Sequence, residues 1–258
     1  MIRRLVVFAA AFVALAFLVL PVVAIFARVS PARLVSTLGD PVVRDALVVS
    51  VKTTVVAQAL VLALGTPAAS LLARRFAGRG LLVSLVELPL VLPPAVAGLG
   101  LLAAFGRAGL LHTGLPFTQA AVVLAVAFVS GPLYVRAAIA AFEGVDGNIV
   151  AASRTLGAGP TRTFFRVVLP LARPGLAAGA ALALARGLGE FGATIMFAGS
   201  LRGVTETLPL AVYSEFNVDF DVALAISALL VALSAALLVT LKWRPSLSTS
   251  RFRYAASS

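Results

Sequence analysis

The chain of 258 residues contains no cysteine. A disulfide framework, a thiolate nucleophile and a cysteine-based metal site are therefore excluded. The single histidine, His112, has no histidine partner and reads as a loop residue near a membrane surface. Only two lysines occur, Lys52 and Lys242, and neither follows the Gly-x-x-x-x-Gly pattern of a phosphate-binding loop. The chain thus lacks that means of cradling ATP, and no nucleophile–base constellation is visible. It reads as a non-enzyme with no cofactor of its own. Charge is scarce as well. Residues of either sign make up 12% of the chain, against about 25% in a soluble domain.

Apolar residues are abundant, at 61%, where soluble domains hold about 45–50%. So much apolar surface cannot all be hidden in a core of this size, and lipid has to be the solvent for part of it. A membrane span needs ~20 apolar residues. Six such runs are present, at 5–27, 46–73, 81–105, 120–141, 171–198 and 222–241, giving an all-α integral membrane protein of six transmembrane helices. The first run follows Arg3 and Arg4 as a signal peptide would. It is longer than a usual signal core, however, and its small-x-small site Ala14-Leu15-Ala16 lies mid-run, so an uncleaved helix is expected. The second run opens with Ser50, Lys52, Thr53, Thr54 and Gln58, so one of its faces meets protein or water.

The net charge of +11 does not point to nucleic acid, because the basic residues cluster at the ends of apolar runs, where they report orientation. With the N-terminus inside, thirteen lysines and arginines fall on the inner side and five on the outer side, while Lys52, Arg136 and Arg186 lie within spans. Both termini are then expected in the cytoplasm. Six of the ten acids, Asp40, Asp45, Glu206, Glu215, Asp219 and Asp221, fall outside.

Two connections are longer than a link requires. The inner one, 142–170, contains Ile149-Val150-Ala151-Ala152-Ser153-Arg154-Thr155-Leu156 and then Gly157-Ala158-Gly159-Pro160. The first part reads as a short helix on the membrane surface, and the glycine–proline cluster as its stop. The outer one, 199–221, carries Leu208, Pro209, Leu210, Val212, Tyr213 and Phe216 and is expected either to dip into the interface or to pack on a partner.

Within the spans, Gly187-Leu188-Gly189-Glu190-Phe191-Gly192 has the spacing of a dinucleotide-binding turn. That chemistry needs a strand before it and a helix after it, whereas this stretch lies inside an apolar run. Small residues here serve close helix packing, as Gly175-x-x-x-Gly179 also suggests, or loosen the helix for gating. Arg186 and Glu190, four apart, are expected on one face of the fifth helix. They form either a neutralised packing pair or part of a translocation path. Glu190 is the one well-buried carboxylate the pattern offers, so the paired acids of an intramembrane enzyme are not in evidence. Pro89, Pro93 and Pro94 interrupt the third span, as a passive kink or as a break beside a pathway. Gly131-Pro132 is a weaker case in the fourth.

The inner connection carries a resemblance. Ala151-Ala152-Ser153-Arg154-Thr155-Leu156-Gly157, followed by Val167-Val168-Leu169-Pro170, resembles the EAA loop of binding-protein-dependent ABC importer permeases. In that pattern Glu-Ala-Ala is followed after three residues by glycine and, nine residues later, by an aliphatic residue before x-Leu-Pro. Ala151 stands where the family has glutamate and Ser153 where it has the second alanine. Within the class, 185–199, 88–94 and 207–213 resemble the molybdate (tungstate) permease subgroup, and the sulfate and thiosulfate permeases carry similar motifs. The resemblance covers about residues 44–242.

It implies a type I importer permease of MetI-like fold in a bacterial inner membrane, a homodimer served by two ATP-binding subunits that hold the ATP and Mg, and an extracytoplasmic oxyanion-binding protein. It also implies that a coupling helix at about 148–156 receives the ATPase stroke through Ala151, Ala152, Ser153, Arg154, Leu156, Gly157 and Pro170. Pro93, Pro94, Arg186, Glu190 and Thr194 would belong to the translocation path or its gate. The chain is thus divided into 1–43 (first helix and outer loop), 44–242 (permease core, with the coupling loop at 143–170) and 243–258 (cytoplasmic tail). Alternatives are the same machine for sulfate, thiosulfate, thiamine or ferric iron, and a stand-alone transporter or intramembrane enzyme. No convincing internal repeat supports the stand-alone transporter.

Overall fold

In lipid each backbone N–H and C=O has to be satisfied within its own segment, so an apolar chain of this kind resolves into helices. A computed structural model describes residues 2–242; the expected tail at 243–258 lies outside the described residues. Among these residues the regular structure is entirely helical. Helix α1 (Ile2–Arg28) runs unbroken through Pro21. Its side chains are exposed along nearly its whole length, which suits a helix whose solvent is lipid. It touches α12 (Phe220–Lys242).

Helix α2 (Pro31–Leu38) falls in what reads as a plain outer loop. Its start signal is nevertheless written in the sequence, since Ser30 accepts from the Arg33 N–H at 3.2 Å and proline takes the first helical position. Helix α3 (Pro41–Leu72) is capped in the same way by Asp40 and begins ahead of the apolar run at 46. Its 32 residues make about 48 Å of helix, more than a ~30 Å hydrocarbon layer requires, so it tilts or protrudes. Its polar face has partners on the chain itself. Ser50 accepts from the Leu208 N–H at 2.7 Å and Gln58 donates to the Ala180 carbonyl at 3.1 Å.

The third run is not one helix. Helix α4 (Arg79–Val91) and helix α5 (Pro94–Phe105) meet at a bend of 113°. Pro89 is accommodated inside α4; the break comes from Pro93 and Pro94. A residue before proline is driven out of the helical region, and both Leu92 and Pro93 are extended, with ψ 134°. Pro94 then serves as the first residue of α5. The bent pair still runs the length of α6 (Gln119–Glu143). Arg79 is ion-paired with Glu143 at the C-terminal end of α6, while Phe105 joins the apolar cluster around Ala121 and Val122 at the other end. Five helices have spanning length among the described residues, and the bent pair counted as one span brings the candidate crossings to six.

Helix α6 is the central post and packs most extensively on α3 and α9 (Leu169–Leu188). Between α6 and α7 (Gly147–Thr155) lies a three-residue link. The inner connection is more helical than expected. From Pro160 the chain winds through α8 (Pro160–Thr163) and a π-helical turn (Phe164–Val168) directly into α9, so Pro170 sits within a continuous helix. That helix ends at Leu188, and α10 (Gly192–Ala198) follows as a separate piece; the single fifth span expected at 171–198 is corrected accordingly. The outer connection forms α11 (Leu208–Phe216), which packs on α12 and α3 of its own chain and buries Leu208, Leu210 and Ala211.

The glycines account for the closest contacts. A Cβ on Gly175 or Gly179 would lie 2.6 Å from the Cβ of Ala141 or Ala137 on α6, and one on Gly187 would lie 2.9 Å from Val126. This is close packing by small residues along an antiparallel helix pair. The same device joins α5 to α10, where a Cβ on Gly98 would stand 2.7 Å from both the Ala193 carbonyl oxygen and the Met196 Cβ. Gly100, two residues on, has open space around it. Gly98→Ala is therefore expected to cost about 1–3 kcal/mol through overpacking, and Gly100→Ala to be neutral or favourable by up to ~1 kcal/mol. Melting of both variants in detergent checks this; equal melting temperatures would contradict it.

Candidate functional site

The fifth span breaks where glycines flank a single acid. Gly189 ends α9, Phe191 adopts φ −125° and ψ −53°, and α10 restarts at Gly192. A break inside the apolar region leaves unpaired helix ends, and Glu190 meets both. Its Oε1 accepts from the Ala193 N–H of α10 at 2.7 Å, and its Oε2 is 2.7 Å from Arg186 Nη1 in the last turn of α9. The acid thus sits at a helix N-terminus and the guanidinium at a helix C-terminus, each in the position its charge favours. Glu190 is 2% exposed. The expectation that the two residues share one helix face is corrected: Glu190 lies outside α9, in the break, and turns back to Arg186.

The break faces a second one. A Cβ on Gly192 would lie 2.6 Å from Pro94 Cβ, so the Leu92–Pro93 interruption and the Gly189–Phe191 interruption are stacked. Pro94, Glu190 and Arg186 are brought into one region, with Pro93 beside them in sequence. Thr194 lies on α10, fully buried, and its hydroxyl has no partner among the described residues. No group of histidines and acids suited to a metal occurs among the described residues.

Several charged residues were not singled out by the sequence. Glu206 is a second buried carboxylate, accepting from the Ser200 and Ser214 hydroxyls at 3.2 and 2.9 Å; it read as an outer-loop acid because nothing in its neighbourhood is periodic. Glu87 on α4 stands 3.5 Å from Arg136 on α6. Their presence inside apolar runs was the available signal. Lys52 is exposed on α3 beside Val48, Val51 and Val55. Around α11, burial and the carboxylates of Asp40, Glu206 and Asp219 push Glu215 above its ordinary value of 4.5, with Arg202 pulling the other way.

The short inner helix forms as expected. Asp146 caps α7 by accepting from the Asn148 N–H at 2.8 Å. At the other end Gly157 takes φ +84°, its N–H donates to the Arg154 carbonyl, and the Ala158 N–H donates to the Ser153 carbonyl. These paired bonds close the helix with a left-handed glycine. The Ser153 hydroxyl lies 3.2 Å from that of Thr163 on α8, so the serine that departs from the family pattern ties α7 to the next helix. Ala151, Ala152, Arg154 and Leu156 are exposed, Leu156 at 88%, and no residue of α7 is buried. The helix is rigid at both ends and uncovered.

Two sequence regions and one fold connect this chain to known proteins. Residues 62–243 match the family described as "Binding-protein-dependent transport system inner membrane component". The "Molybdenum transport system permease protein ModB" of Mycobacterium tuberculosis is 44% identical, over 94% of this chain and 95% of that protein. Its Escherichia coli K12 counterpart is 40% identical over 80% and 95%. Among solved structures, the inward-facing MetNI methionine ABC transporter contains a chain that aligns with a TM-score of 0.63, covering 78% of this chain and 93% of that one, at 20% identity. That likeness is one of fold.

Two outcomes are expected. Glu190→Ala leaves Arg186 without its counter-ion and a helix end without its acceptor. Arg186 is 34% exposed, so the loss should be about 2–3 kcal/mol, below the ~3–5 kcal/mol of a fully buried pair. Arg186→Ala/Glu190→Ala should recover part of it in a double-mutant cycle by chemical unfolding in mixed micelles; strict additivity would refute the pairing. For Glu215 the raised value means that its contribution to stability is complete below 4.5 and is lost as pH climbs through the folded-state value. Glu215→Gln should therefore melt higher than the parent at neutral pH, by less than about 1 kcal/mol, and the gap should close on acidification below 4.5.

Proposed function

Since the chain belongs to the binding-protein-dependent transport system inner membrane component family, and to its molybdenum-permease branch, we propose that it is the multi-pass permease subunit of an ATP-driven ABC importer carrying molybdate into the cytoplasm. The observation that carries this reading is the likeness to molybdenum permeases over 94% of the chain. ATP is hydrolysed by a separate subunit that holds the Mg, two copies of the permease pair as a homodimer, and an extracytoplasmic binding protein delivers the oxyanion. Both termini lie in the cytoplasm of a bacterial cell, as thirteen inner against five outer basic residues support.

The mechanism follows from how α7 is attached. The ATPase subunit seats on the uncovered surface around Ala151, Ala152 and Leu156. Because α7 is capped at both ends and joined by Ser153 to Thr163, a push on it is passed on undamped. It reaches α6 through the short link after Glu143 and α9 through α8. Helices α6 and α9 are locked by glycine–alanine contacts, so they move together. The displacement ends at the stacked breaks, where α9 stops and α10 leans on α5. There Pro93, Pro94, Glu190, Arg186 and Thr194 border the path or its gate, and rocking of these pieces alternates access. Arg186, one-third exposed, offers the oxyanion a guanidinium already oriented by Glu190.

The test uses the complete complex in proteoliposomes with molybdate-loaded binding protein. The parent should couple ATP hydrolysis to molybdate uptake. Ala152→Glu, which puts charge on the exposed face of α7, should retain ATP hydrolysis while uptake falls roughly tenfold, a barrier change of about 1.4 kcal/mol. Absence of molybdate uptake by the parent would overturn the function, and normal coupled uptake by the variant would overturn the placement of the ATPase on α7.

A further inference from the structure

A cavity of about 360 Å³ lies behind α7, between it, the C-terminal end of α3 and the start of the α8–α9 helix. Its lining mixes apolar side chains, Phe142, Val150, Phe164 and Val168 among them, with the hydroxyl residues Ser70 and Thr163 and two arginines, Arg74 just past α3 and Arg154 in the last turn of α7. Neither side chain is ion-paired or hydrogen-bonded among the described residues. The nearest acids in sequence are engaged elsewhere: Glu143 with Arg79 and Asp146 as the cap of α7. No acid lines the cavity.

Two unpaired arginines on one concavity without an acid raise the local positive potential. Forked guanidinium donors fit a tetrahedral oxyanion better than a point-like anion. Basic pockets at the membrane-proximal ends of transmembrane helices hold phospholipid headgroups, and the apolar side chains here suit the glycerol and upper acyl carbons that would accompany one. We propose that this cavity binds an oxyanion of the phosphate class, bridging Arg74 to Arg154. The bridge ties α7 to the end of α3, two ends with no hydrogen bond or ion pair between them among the described residues, and so stiffens the helix at which force enters. The phosphate is a lipid headgroup or a free tetrahedral anion, and either uses the same two arginines. The site stands apart from the stacked breaks and does not depend on which substrate is carried.

Hydrogen exchange of α7 tests this with the full-length protein in nanodiscs. Three media separate the sources: phosphatidylcholine alone, phosphatidylcholine with phosphatidylglycerol, and phosphatidylcholine with inorganic phosphate or molybdate in the buffer. Anion should slow exchange across 150–156 roughly tenfold, the effect of about one charge-assisted hydrogen bond, in the parent and not in Arg74→Gln/Arg154→Gln. Slowing with phosphatidylglycerol alone identifies the headgroup; slowing with phosphate or molybdate in neutral lipid identifies the free anion. Both arginines are exposed, so the variant should melt like the parent in phosphatidylcholine; if it does not, Arg74→Gln alone supplies the comparison. Equal exchange in all three media, or equal slowing in parent and variant, overturns the proposal.

Discussion

A helix that stops inside an apolar layer leaves donors and acceptors that lipid cannot satisfy, and the rest of this structure depends on how that problem is met at Glu190. One carboxylate closes the start of α10 through the Ala193 N–H and holds Arg186 against the end of α9. The second interruption, at Leu92–Pro93, lies against the first through Pro94 and Gly192. Two irregular stretches are thereby placed against each other, with Glu190 buried between them while Pro93, Pro94 and Gly189 stay exposed on the single chain. The packing of α5 on α10 goes with that juxtaposition.

The end of the bundle nearer α7 is organised differently. There α6 and α9 approach through Ala137, Ala141, Gly175 and Gly179, leaving little room for sliding, since close-packed interiors transmit displacement. Helix α7 hangs from both members of this pair and carries no buried residue. A rigid post, an exposed helix attached to it and a pair of broken helices at its far end form a mechanical series. In the proposed mechanism that series is the route from ATP hydrolysis to the path. The two arginines behind α7 lie at its first joint.

The residues show why some of this was legible in sequence. Helix α7 was readable because its stop is chemical: Gly157 takes φ +84°, a region open to glycine at little cost. The interhelical glycines Gly175 and Gly179 were readable for a similar reason of size. Helix α2 was overlooked although Ser30-Pro31 announces it, because its short amphipathic pattern sits between two long apolar runs. In sequence Glu206 reads as a loop acid, because its burial depends on Ser200 and Ser214 folding over it.

Composition and run length alone pointed to a membrane protein with five to six candidate crossings, because spanning lipid demands long apolar stretches. The tertiary structure decided that one candidate crossing is a bent pair and that another stops at Leu188 before a separate short helix, that these two interruptions touch, and that Glu190 belongs to a helix start and not to a helix face. A run of apolar residues records only the cost of meeting water. Whether it continues as one helix or stops and turns depends on whether another segment is at hand to satisfy the exposed ends, and that partner lies far away in sequence.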